Sequence, residues 1–104
     1  MIRVSVFYPN QSGSRFDLDY YVKRHMALVE SKLGERGLVR WEVDRGLGGG
    51  APGAPAPYVA AGHLYFESLD SFQQAFGAAA GEIMADVPNY TDLTPQVQVS
   101  EIVS

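Results

Sequence analysis

The 104-residue chain contains no cysteine, only two histidines, and charged residues at only 19% of its positions. The first lack excludes disulfides and thiolate chemistry. With two histidines far apart, no His-x-x-x-His spacing and no clustered carboxylates, nothing in the sequence specifies a metal site, and no cofactor is expected. Basic residues number 8 against 12 acidic, a net charge of -4. That balance gives no electrostatic reason to bind nucleic acid or an anionic membrane. No run of about 18 apolar residues is present, so no membrane span is expected. Met1 to Pro9 alternates and stops at a proline, unlike the apolar core of a signal peptide. These features together imply a soluble, cytoplasmic protein.

What is present organises itself around residues 16–34. At 100° per residue, Leu18, Val22, His25 and Val29 fall within about 60° of one another, flanked by Tyr21, Leu28 and Leu33. Asp17 is placed to cap the first free amides, and Asp19 suits the positive end of the helix. Gly34 is expected to end the helix in a left-handed conformation. His25 is thereby set in the middle of a buried stripe. Asp19 and Glu30 both point away from it, so burial alone should hold its pKa below the reference value of about 6.5.

Around that helix the patterns alternate. Ile2, Val4, Val6 and Tyr8 share one face of a first strand over residues 2–8. A second strand over residues 38–45 sets Val39, Trp41 and Val43 against Leu38, Arg40, Glu42 and Asp44. Residues 46–57 are Gly, Ala, Pro and one Leu, a composition that suits a long mobile hairpin loop rather than regular structure. Tyr58 to Glu67 reads as a third strand with apolar residues on both sides. Ser68 caps a second helix whose stripe is Leu69, Phe72, Phe76 and Ala80. A further short turn is expected over residues 82–87, and the last strand runs over residues 96–103.

The resulting order is β-α-β-β-α-β in a single domain, residues 1–104. It is an α+β, ferredoxin-like arrangement: a four-stranded antiparallel sheet with two helices on one face. Apolar residues on both sides of several strands imply that the second face is also covered. A second copy of the chain, packed sheet to sheet as a homodimer, is the expected cover.

Three stretches, Asp17–Val29, Gly62–Phe66 and Ala85–Thr91, resemble the EthD family, named after a protein encoded with ethyl tert-butyl ether degradation genes. The resemblance spans nearly the whole chain outside the Gly/Pro loop. It implies the dimeric α+β barrel fold, in which ferredoxin-like protomers pair through their sheets. That superfamily includes cofactor-free monooxygenases, polyketide cyclases, muconolactone isomerases and haem-handling enzymes, while many EthD-like members have no assigned activity. Some cyclase-type cousins carry a histidine just after the second helix; here that neighbourhood reads Gly77-Ala-Ala-Ala-Gly81.

Two functions stay open. In one, a cofactor-independent enzyme acts on a small apolar, aromatic or polyketide-like metabolite by isomerisation, cyclisation or oxygenation, with His25 as acid/base and Tyr21 beside it. His63, Tyr65, Phe72, Phe76, Asn89 and Tyr90 are then candidates to hold the ligand. In the other, the protein binds a ligand without catalysis or supports a pathway enzyme, and His25 is structural. A cavity that reaches His25 from solvent distinguishes the first from a His25 that is sealed and saturated.

Overall fold

A computed structural model describes residues 1–104. Four strands, β1 (Ile2–Pro9), β2 (Leu38–Arg45), β3 (Tyr58–Phe66) and β4 (Gln96–Glu101), form one antiparallel sheet in the order β2-β3-β1-β4. The first helix runs through α1 (Leu18–Tyr20), a π-helical turn (Tyr21–His25) and α2 (Met26–Leu33). The second, α3 (Leu69–Ala85), is followed by a 3-10 turn (Val87–Asn89). This is the ferredoxin-like arrangement that the alternation predicts.

Cross-strand pairs set the two faces. Trp41, Leu64, Val4 and Val99 form one row across the sheet, and Val43, Gly62, Val6 and Val97 the next. This face carries the core: Val4, Tyr8, Leu64 and Phe66 pack with Tyr21, Met26, Val29 and Leu33 of the first helix and Ala75, Ala79 and Ile83 of the second. Fully buried side chains such as Leu33 and Phe66 each contribute roughly 1.5–3 kcal/mol by leaving water. The opposite face presents Arg3, Ser5 and Phe7 of β1, His63 and Tyr65 of β3, and Glu42 and Asp44 of β2.

Both helices begin as their capping residues require. Tyr20 N donates to Asp17 Oδ1 at 3.0 Å, and Ser71 N to Ser68 Oγ at 3.1 Å. Several expectations fail beyond the caps. Gly34 keeps a right-handed conformation, and the chain continues through a 3-10 turn (Gly34–Arg36) to Gly37. There φ is 110°, and the left-handed residue ends the helix. Val22, expected inside, is exposed, whereas Tyr21 and Met26 are buried. The cause is the π turn, in which Met26 N reaches back five residues to Tyr21 O. That extra residue per turn rotates the apolar stripe away from the one a regular period selects.

Irregular pairing makes two more corrections. A register shift between Leu38 and Arg40 leaves Val39 exposed and turns Leu38 toward the core with Trp41 and Val43. A second shift at Tyr8 and Pro9 separates Tyr58 from Ala60, and the Tyr58 ring packs at 4.9 Å from Phe7 on the other face. In α3 the buried positions are Ala75, Ala79 and Ile83, while Leu69 is exposed. The helix extends through Ala85, absorbing the turn expected over residues 82–87, and β4 stops at Glu101. The outer face is also less apolar than expected, because Arg3, Arg40, Glu42 and Asp44 occupy much of it.

Candidate functional site

The segment before the first helix is stitched to the segment after the second. Asp17 N donates to Tyr90 O at 2.8 Å, Thr91 Oγ1 to Arg15 O at 2.6 Å, and the Arg15 guanidinium to Pro88 O at 2.8 Å. These bonds bring the π turn beside Asp86 and Tyr90, residues far apart in the chain.

In the π turn, residues four apart come nearly into line, and the Tyr21 and His25 rings stack with an interplanar angle of 14° and centroids 5.4 Å apart. Tyr90 lies against both, at 4.7 Å from His25 and 4.9 Å from Tyr21. Tyr8, at the end of the inner face of β1, completes the group: its hydroxyl meets that of Tyr90 at 2.6 Å. Gly62 of β3 gives Tyr21 its place, since a Cβ there would collide with the Tyr21 hydroxyl.

His25 Nδ1 lies 2.9 Å from Asp86 Oδ2. Asp86 also accepts from the Tyr20 hydroxyl at 2.7 Å and from Asn89 Nδ2 at 2.9 Å, both through Oδ1. Burial pushes the Asp86 carboxyl up, but the bonds from Asn89, Tyr20 and His25 outweigh that and hold it below the usual range. It is therefore ionised at neutral pH and accepts from Nδ1–H. Burial lowers the His25 pKa, and Asp86 only partly offsets this. The neutral imidazole then carries its lone pair on Nε2. Nε2 has no partner within the chain, and no unpaired side-chain nitrogen or oxygen is sealed from solvent.

His25 lines a cavity of about 320 Å³ between the sheet and the helices. Val4, Val6, Leu64 and Val97 line it from the strands, and Met26, Val29, Phe72, Phe76 and Ile83 from the helices. Tyr8, Tyr21, His25 and Tyr90 are the lining residues whose side chains carry a polar nitrogen or oxygen. No lysine, arginine, aspartate or glutamate lines it. Met84 and Val97, half or more exposed, stand at its edge.

The structure thus brings His25, Tyr21, Tyr90, Phe72 and Phe76 together, and separates three other candidates. Asn89 does not line the cavity; it reaches Asp86 instead. His63 and Tyr65 lie on the outer sheet face, because odd positions of β3 point away from the helices. Tyr65 donates to Glu42 Oε1 at 2.6 Å beneath the Arg40 guanidinium. His63 bridges Ser5 Oγ and Asp44 Oδ2, each at 2.8 Å. This Ser-His-Asp series lacks the other parts of a nucleophilic triad. Ser5 is buried in mid-sheet, where the neighbouring amides are held in the β ladder and cannot form an oxyanion hole. No three histidine or carboxylate side chains converge to hold a metal ion.

Two positions of this cluster were not among the candidates that the sequence offers. Tyr8 looked like the last apolar residue of a strand. Asp86 sits within the Ala85–Thr91 stretch, where the proline-asparagine pair drew attention to the turn. The expectation that nothing offsets the burial of His25 holds for its own helix, but Asp86 arrives from the other one.

The EthD domain model matches residues 11–94. The chain belongs to the EthD domain family. An EthD-like protein of Ralstonia eutropha JMP134 is 41% identical, with 99% of this chain and 92% of that one covered and a TM-score of 0.93. The same fold recurs at lower identity. A hydroxynitrile lyase from Passiflora edulis is 19% identical, with 97% of this chain and 92% of that one covered and a TM-score of 0.66. A dimeric ferredoxin-like protein from an uncultured marine organism is 13% identical, covering 100% and 96%, with a TM-score of 0.63. No curated protein matches this EthD sequence significantly.

Proposed function

We propose that this EthD-domain protein binds a small, neutral, apolar molecule in the cavity between sheet and helices, and that His25, oriented by Asp86, exchanges a proton with it. One observation carries the reading. The two nitrogens of His25 are in different situations: Nδ1 is occupied by a carboxylate, and Nε2 is unpaired on a ring that lines an apolar cavity. A carboxylate that fixes the tautomer and steadies the imidazolium is the usual support for a histidine general base. Tyr21 stacks on the ring and keeps its plane. Phe72, Phe76 and Tyr90 supply apolar contact for the ligand. The fold hosts catalysis in at least the hydroxynitrile lyase.

The functional unit is a homodimer closed through the outer sheet face. One protein of this fold is described as dimeric. In a single chain that face leaves Phe7, Tyr58 and His63 only partly covered.

Acylation of histidine by diethyl pyrocarbonate, with the modified peptide located by mass spectrometry, tests the site. His25 should be modified in the folded protein at pH 7 and protected by naphthalene, which should bind saturably. A His25 that stays unmodified while naphthalene binds would leave a ligand-binding protein without acid/base function. The absence of any saturable binding would remove the site altogether.

A further inference from the structure

The hydroxyls beside His25 contain one proton more than the chain can accept. Tyr8 and Tyr90 share a hydrogen bond of 2.6 Å, and neither hydroxyl meets an acceptor outside the tyrosine group. The Tyr21 hydroxyl turns to that of Tyr8, with the two rings 5.4 Å apart, and extends the run to three hydroxyls. A run of hydroxyls bonded only to one another always leaves one O–H without an acceptor, whichever way the bonds point. All three tyrosines line the cavity. Burial first, and Tyr8 second, push the Tyr21 and Tyr90 hydroxyls far above the ordinary phenol range, so they stay neutral donors.

The cavity therefore offers a surplus donor and, on His25 Nε2, a surplus acceptor, in a lining that is otherwise hydrocarbon. A ligand that satisfies both brings an oxygen acceptor and, close to it, a removable proton. It also brings no charge, because an anion would lose its water here without meeting a cation. We infer that the cavity takes a neutral compound with an enolisable carbonyl group, its oxygen received by the tyrosine hydroxyls and its α-proton removed by His25. This rests on the acid/base reading of His25 and adds the substrate class.

The step balances without a co-reactant. Nε2 takes the α-proton and the C–H electron pair becomes the enolate π bond. The carbonyl π pair moves onto oxygen, where the tyrosine O–H holds it. Asp86 faces the imidazolium through Nδ1–H. Return of a solvent-exchanged proton from Nε2 to carbon regenerates the ketone.

The test follows hydrogen–deuterium exchange at the α-carbon of 2-tetralone in D2O by proton NMR, with naphthalene binding measured on every sample. The protein should accelerate exchange over buffer. Replacing the whole hydroxyl run, Tyr8→Phe with Tyr21→Phe and Tyr90→Phe, leaves none orphaned, keeps all three rings and should preserve naphthalene binding. It should slow exchange by about a hundredfold, the scale for loss of an oxyanion donor. His25→Gln should abolish the acceleration. In the unmodified protein 2-tetralone should displace naphthalene, and the anion 2-naphthoate should not.

Naphthalene binding without accelerated exchange would overturn the carbonyl assignment and leave the binding reading standing. Undiminished exchange in a triple variant that binds naphthalene would overturn the role of the tyrosines. Displacement by 2-naphthoate as effective as by 2-tetralone would overturn the neutral-substrate assignment, and it needs no variant to fold. If naphthalene itself fails to bind, both readings fall together.

Discussion

The Tyr21 hydroxyl occupies the space that a Cβ of Gly62 would fill. A tyrosine of the π turn and a glycine of β3 are thus one fitted unit, and the Tyr21 ring reaches the sheet only because that strand position has no side chain. Gly62→Ala should destabilise the protein by roughly 1–3 kcal/mol, the scale of core overpacking. Tyr21→Phe should recover part of that loss, because it removes the atom that collides. Urea midpoints of the two single variants and the double variant measure the coupling, and strict additivity would contradict the fit.

Asp86 gathers His25, Tyr20 and Asn89. Asp86→Ala should cost roughly 1–3 kcal/mol by leaving the buried His25 Nδ1–H unpaired. It should also lower the His25 pKa further, since the carboxylate's bond and charge both raise it. An NMR titration of the His25 ring in the two proteins checks the sign. A rise on removing Asp86 would mean that the pair is not coupled as described.

The same two groups make stability depend on pH. The His25 pKa is depressed in the fold, so the unfolded chain binds the proton more readily. The stability it contributes is full above the unfolded value of about 6.5 and declines as pH falls through it. Asp86, also depressed, adds a second loss as pH falls below its unfolded value of about 3.9. Urea midpoints from pH 8 to pH 5 should fall, and His25→Gln should flatten that part of the curve. An unchanged slope in the variant would remove His25 as the source.

Sheet-to-sheet pairing predicts a dimer at micromolar concentration by sedimentation. Ala61 is buried at the centre of the outer face even in one chain. Ala61→Arg should therefore give a monomer that still binds naphthalene, because the cavity lies on the other face. A wild-type protein that sediments as a clean monomer would rule the pairing out.

Residues 46–57 form the tip of a hairpin. Gly46 N bonds Val59 O at 3.0 Å and Gly49 N bonds Ala54 O at 2.9 Å, and Asn10 holds Ala56 and Pro57 through two bonds of 2.9 Å. Exchanging residues 47–56 for a short Gly-containing turn should cost only about 1 kcal/mol, since little apolar surface is lost and loop closure changes slowly with length. A loss of several kcal/mol in the denaturation midpoint would show that this loop supports the cavity or the dimer.

Local rules alone determined much of this protein. Alternation every second residue defined four strands, and side-chain capping placed the helix starts at Asp17 and Ser68, because both depend on neighbours within a few residues. His25 on an apolar stripe was legible for the same reason. What the sequence could not disclose were departures from regular period: the π turn that exchanges Val22 for Tyr21, and the register shifts that expose Val39 and turn Tyr58 outward. Each is settled by packing against another element. The site itself is non-local. Asp86 reaches His25, and Tyr8 reaches Tyr90, only when the two helices and the first strand close on one another, and these pairs lie 61 and 82 residues apart in the chain. No periodicity records such a distance, so which nitrogen of His25 is held, and which is free, was decided by the tertiary structure.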